Sequence, residues 1–126
     1  MRYSSIVKRR ENGNNRPSQA HTNALIKSIV DRIARIYSPK KIILFGSYAN
    51  GNPRDGSDVD LLVVKNTREA PSNRWLRIRK IVRELTRLIP ISPLILTEKE
   101  LQERLEAGDF FLKEIIRDGK VLYASQ

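Results

Sequence analysis

The sequence predicts an α/β sandwich. Segments with apolar residues at helical spacing alternate with short apolar runs rich in β-branched side chains. Clusters of Gly, Pro, Asn and Ser separate the two kinds of segment. The chain has 126 residues, which suits one domain with one core and leaves no room for a second.

The elements follow in order. Residues 1–17 are polar and basic, with Asn12-Gly13-Asn14-Asn15 breaking any periodicity, and read as a flexible tail. A solvated arm and a nucleic-acid arm fit it equally. A single domain is expected over 18–126. Ser18 caps a helix that runs to about Tyr37, with Leu25, Ile26, Ile29, Val30, Ile33 and Ile36 on one face. Ser38-Pro39 stops it. Lys41 to Phe45 reads as a buried strand, Asn50 to Gly56 as loop, and Val59 to Lys65 as the next strand.

Arg74 to Leu88 reads as a helix. Its buried stripe is Ile78, Ile81, Val82, Leu85 and Leu88. Its other face carries Arg74, Arg77, Arg79, Lys80, Arg83 and Arg87, relieved by Glu84. Pro90 and Pro93 flank a third strand, about Ile91 to Thr97. Thr97 and Glu100 form a capping box for a helix that ends near Gly108. Asp109 starts another, with Phe111, Ile115 and Ile116 inward, and Gly119 ends it. Val121-Leu122-Tyr123 is a short last strand.

Composition narrows the chemistry. There is no cysteine, so disulfides and Cys-type zinc sites are excluded. The single histidine, His21, sits in the first turn of a helix, as a surface histidine often does. Acid–base or metal chemistry must rest mainly on carboxylates. No apolar run approaches the roughly 20 residues that span a bilayer. The N-terminus lacks an apolar signal core, so a cytoplasmic place is expected. The formal net charge is +10. Nucleic acid, nucleotide phosphates and an acidic protein surface all suit that charge, and so does plain solubility. The basic helix over 74–87 could meet nucleic acid or an acidic partner, or simply be solvated. Trp75 and Tyr37 could stack on bases or pack at the core.

One stretch carries a constellation. In "LFGSYANGNPRDGSDVDLLVV" a strand ends at Phe45 and Gly46-Ser47 follows at once. Gly46 allows a tight turn and close approach to a ligand. Ser47 adds a hydroxyl and can open a short helical turn whose free N–H groups suit a phosphate. Asp58 and Asp60 come after ten further residues. Two apart on a strand, they project from one face and repel unless a cation lies between them. Mg²⁺ prefers oxygen ligands and is commonly shared between one or two carboxylates and substrate phosphates. A phosphate turn and a carboxylate pair so spaced point to Mg²⁺ and a nucleoside triphosphate.

Gly46-Ser47, ten intervening residues and Asp58-x-Asp60 resemble the signature of the DNA polymerase β-like nucleotidyltransferase superfamily. The chain looks most like its minimal members, the MNT-domain proteins often encoded beside HEPN-domain partners. "KKIILFGSYANG" and "GSDVDLLVV" are similar to the family's two core strands. "ISPLILTEKEL" and "FFLKEIIRDGKVLY" are similar to its third strand and closing helix. The resemblance implies an α+β nucleotidyltransferase fold, a short mixed sheet backed by helices. It implies Mg²⁺-dependent nucleotidyl transfer, usually from ATP. In some members the acceptor is a hydroxyl on the HEPN toxin, which the transfer silences, so that the MNT protein is the antitoxin. By position, Gly46 and Ser47 would bind the triphosphate, and Asp58 and Asp60 would hold Mg²⁺ and serve catalysis. Asn50 stands where the family often has arginine, with Arg54 nearby as another phosphate contact. Ser92 stands where the fullest pattern has a third carboxylate.

Overall fold

The computed structural model describes residues 18–54 and 56–126. The expected tail, 1–17, lies outside the described residues, as does Asp55. Four strands form one mixed sheet, β1 (Lys41–Phe45), β2 (Val59–Val64), β3 (Ile91–Leu96) and β4 (Lys120–Ala124), in the order β3-β2-β1-β4. β1 runs antiparallel to both β2 and β4. β2 and β3 are parallel, a pairing that needs a crossover connection, and the segment between them supplies a helix. The fold class is the expected one, a mixed sheet with helices on both faces.

The helices are α1 (Gln19–Tyr37), a short turn α2 (Ser47–Asn50), α3 (Pro71–Val82), α4 (Glu98–Glu106) and α5 (Phe110–Asp118), with a 3₁₀ turn at Leu85–Arg87. Their ends follow from local chemistry. Ser18 Oγ accepts from the His21 N–H at 3.1 Å. Thr97 and Glu100 exchange both bonds of a capping box. Asp109 Oδ1 accepts from the Leu112 N–H at 3.0 Å.

Alternation along the strands divides the core into two layers. Ile42, Leu44, Val59, Leu61, Val63, Ile91 and Ile95 meet α1 and α3 through Ile29, Ile33, Ile78 and Val82. Ile43, Leu62, Val64 and Leu96 meet α5 through Leu112 and Ile115. Burying one fully enclosed aliphatic side chain is worth about 1.5–3 kcal/mol. Fully buried Ile29, Ile33, Leu61 and Leu62 are therefore substantial holding points.

The structure corrects several expected faces. Ile36 is exposed and Tyr37 takes its place in the stripe of α1. The helix expected over 74–88 begins earlier, with Pro71 in its first turn, and gives way after Val82 to the 3₁₀ turn. That change of pitch leaves Leu88 exposed rather than buried. Phe111 and Ile116 are also exposed. Leu112 and Ile115 face inward, because a three-residue step continues the buried stripe and positions on either side of it turn away. Gly119 does end α5, but in extended backbone (φ −72°) rather than a left-handed cap. A side chain there would meet the Ile43 Cγ2 at 2.6 Å and the Leu44 carbonyl oxygen at 3.1 Å, so a glycine is needed for room.

Candidate nucleotide and metal site

The registers converge at one end of the sheet. β1 finishes where β2 and β3 begin. Phe45, Asp60 and Ser92 form one row across the three strands, with Phe45 opposite Asp60 and Asp60 opposite Ser92. Residues in register share a face, so the row lies on the α5 side.

Gly46 leaves β1 with φ 79° and ψ −157°, a region that is essentially glycine-only. A Cβ there would collide with the Asp60 carboxylate, with its Cγ at 3.2 Å. The turn therefore runs directly against Asp60. The Gly46 carbonyl accepts from the Ala49 and Asn50 N–H groups, and the Ser47 carbonyl from the Asn52 N–H. The N–H groups of Ser47 and Tyr48 stand at the start of the turn, where a helix supplies no internal partner.

Asp60 lies on β2, half-buried. Asp58 lies one residue before the strand and is exposed. Burial, and then the Asp58 charge, push the Asp60 carboxyl above the ordinary aspartate range. Neither carboxylate makes a hydrogen bond or ion pair among the described residues. Two neighbouring oxygen donors, one of them desolvated and neither neutralised, fit a hard divalent cation. Among the described residues no cluster of three or more Asp, Glu or His side chains has metal-holding geometry. Ser92 is exposed at its place in the row.

Arg54 is exposed in the connecting loop. Its backbone N–H donates to Ser57 Oγ at 2.9 Å, and its carbonyl accepts from the Ser57 N–H at 2.9 Å. No polar contact joins its guanidinium to Gly46, Ser47 or Asp60 among the described residues. Asn50 is exposed and lines a cavity of about 210 Å³ beside Gly46, with Phe45, Phe111, Glu114 and Asp118. The Phe45 and Phe111 rings meet edge to face at 5.6 Å. That wall was not legible in advance, because it depends on α5 folding back beside β1.

The basic helix differs from its expected face. Arg74 is 5% exposed, and its guanidinium takes the Glu100 carboxylate at 2.7 and 3.1 Å. It also donates to the Glu69 carbonyl at 2.8 Å. Arg77 pairs with the Glu69 carboxylate. Arg79 lies over the Trp75 ring at 4.7 Å. Six basic residues thus do not form one open face: Arg74 is a buried structural cation, and Arg77 is exposed but paired. Tyr37 packs in the core, while Trp75 is partly exposed.

The polymerase beta nucleotidyltransferase family matches residues 27–126, and the chain belongs to it. A relative in Methanocaldococcus jannaschii, the candidate protein adenylyltransferase MJ1305, is 38% identical over 85 residues. The match covers 65% of this chain and 56% of that protein, so the chain spans just over half the relative's length. A candidate nucleotidyltransferase from Sulfolobus solfataricus has a similar solved structure, with TM-score 0.57 and 20% identity, covering 84% of this chain and 83% of that one. A chain in a toxin–antitoxin crystallised with AMP-PNP gives TM-score 0.51 and 22% identity, covering 79% and 74%. At those identities the likeness is one of fold. Among the described residues no helix is long and apolar enough to cross a membrane.

Proposed function

We propose that this chain binds ATP at the Gly46–Ser47 turn with Mg²⁺ held by Asp58 and Asp60, and transfers AMP to a hydroxyl on a partner protein. The observation that carries this is the contact between turn and carboxylate: Gly46 has no room for a side chain because Asp60 stands against it. A ligand phosphate at the turn would lie beside the very carboxylate that needs a cation. When bound, Mg²⁺ would neutralise the triphosphate and the carboxylates together. Gly46 and Ser47 would hold the β- and γ-phosphates and leave the α-phosphorus open to in-line attack. The acceptor hydroxyl would give up its proton to solvent as its oxygen bonds the α-phosphorus, the α–β phosphoanhydride bond would break, and pyrophosphate would leave. The named relative and the sequence resemblance favour a protein acceptor, and the resemblance favours a HEPN toxin neutralised by this chain as antitoxin.

Incubation with α-labelled ATP, Mg²⁺ and a candidate HEPN partner tests the reading. Label should reach the partner with the native chain and not with Asp58→Ala. Equal transfer by both, or none by either, would overturn it.

One observation favours a second reading, in which the chain neutralises its partner by covering it. Ser92 offers no carboxylate in the row that Asp60 occupies. On that reading Asp58→Ala leaves neutralisation intact. Nucleic-acid binding through 74–87 has lost Arg74 to a buried pair, and Arg77 is partly neutralised by Glu69 at the surface. It predicts affinity that falls steeply with salt.

A further inference from the structure

Asp58 is exposed and no side chain among the described residues hydrogen-bonds to it, so its position depends on its neighbours in the chain. On one side the Val59 N–H donates to the Pro90 carbonyl at 2.9 Å, tying the start of β2 to the start of β3. On the other side Ser57 is held twice. Its N–H and Oγ close a turn on Arg54, and its carbonyl accepts from the Tyr48 hydroxyl at 3.3 Å. Tyr48 belongs to α2, directly after Ser47. Its ring is half-buried against the larger core layer, beside buried Ala49.

We propose that Tyr48 is a positioning residue that sets the distance between the Gly46–Ser47 turn and Asp58. The link spans nine residues of sequence. It joins the phosphate side of the site to the cation side through a rigid aromatic rather than through the intervening loop, whose residues Gly51, Asn52, Arg54 and Gly56 are all exposed. At the Ser57 end the link falls on backbone that the Arg54 turn also holds. A loop free to drift would let Asp58 leave Asp60. The phenol opposes it. This role rests on the Mg²⁺–nucleotide reading above.

The test has two arms. In metal-free protein, amide hydrogen exchange over residues 56–60 reads the tether itself. In calorimetry, the Mg²⁺ half-saturation with a non-hydrolysable ATP analogue reads its consequence. Tyr48→Phe removes the hydroxyl and keeps the ring. Tyr37→Phe is the control, since the Tyr37 hydroxyl is buried with no hydrogen-bond partner among the described residues. Tyr48→Phe should speed exchange over 56–60 and raise the Mg²⁺ half-saturation, each by roughly three- to tenfold, the range of one modest hydrogen bond. Its affinity for inorganic triphosphate without Mg²⁺ should not change. Tyr37→Phe should leave all three readings alone. Unchanged exchange, or faster exchange with unchanged Mg²⁺ half-saturation, overturns the role of Tyr48. Native protein that binds the analogue without regard to Mg²⁺ overturns the parent reading and this role with it, and is seen before any variant is made.

Discussion

Asp60 and Ser92 are register partners across the parallel pairing of β2 and β3, on the same face and at the same end of the sheet. A carboxylate at 92 would therefore stand beside Asp60 with no rearrangement of backbone. Ser92→Asp should deepen the electrostatic problem in metal-free protein and relieve it with Mg²⁺. The variant should melt below the native chain without Mg²⁺. Its Mg²⁺-induced rise in melting temperature should exceed the native rise by about 2–4 °C. Transfer of label should increase on the order of tenfold, as a further acid–base or ligand group allows. Equal Mg²⁺ shifts in the two proteins would show that position 92 does not reach the site.

Gly46→Ala places a methyl group against the Asp60 carboxylate and forces a non-glycine residue to φ 79°. Both effects act on the same few atoms. The expected loss of stability is about 1–3 kcal/mol by urea unfolding, with nucleotide binding lost more completely than stability. Gly51→Ala is the comparison: it also has positive φ, but among the described residues nothing lies within 4 Å of its would-be Cβ. It should cost less and leave binding in place.

Arg74 and Glu100 join α3 to the start of α4. The Arg74 guanidinium holds the Glu100 carboxyl down at about 2, with the Thr97 N–H assisting. A carboxyl depressed in the folded state adds stability that is present above its ordinary value and is lost as it protonates. The contribution should thus be full above about pH 4.5 and disappear as pH falls towards about 2. Removing one partner of a buried pair typically costs about 3–5 kcal/mol. The Glu100 side chain is 37% exposed, and water screens that end. Arg74→Ala should therefore cost about 2–3 kcal/mol at pH 7, measured by urea unfolding, and less at pH 3. A cost independent of pH would show that packing of the arginine stem, not the ion pair, is what matters.

Much of this architecture was legible in the chain. Ser18, Thr97 with Glu100, and Asp109 each announce a helix start through hydrogen bonds made within one turn, and local chemistry of that kind is written in local sequence. The strand ends at Phe45 and Val59 were equally readable from apolar runs and turn residues. Gly46, Ser47, Asp58 and Asp60 could be named together because their spacing is itself the signal. What was not legible depends on contacts between distant segments. Arg74 looks like any other arginine of its helix until Glu100 arrives from α4. Phe111 looks inward by composition, yet it lies at the rim beside Phe45. Tyr48 gave no sign of its link to Ser57, because a tyrosine beside a glycine–serine turn could bond to any of several nearby carbonyls.

Asp60 carries the central claim, and Asp60→Asn tests it in one calorimetric titration with a parallel melt. Its carboxyl is raised in the folded state, so the ionised form costs stability above the folded value, and that cost fades as pH falls through it. At pH 7 the amide should melt higher than the native chain by roughly 2–4 °C, as replacement of a strained functional group often does. The native chain should bind a non-hydrolysable ATP analogue at least tenfold more tightly with Mg²⁺ than without, about 1.4 kcal/mol. In Asp60→Asn that Mg²⁺ dependence should vanish while the variant stays folded. A variant that keeps the native Mg²⁺ dependence would contradict the account.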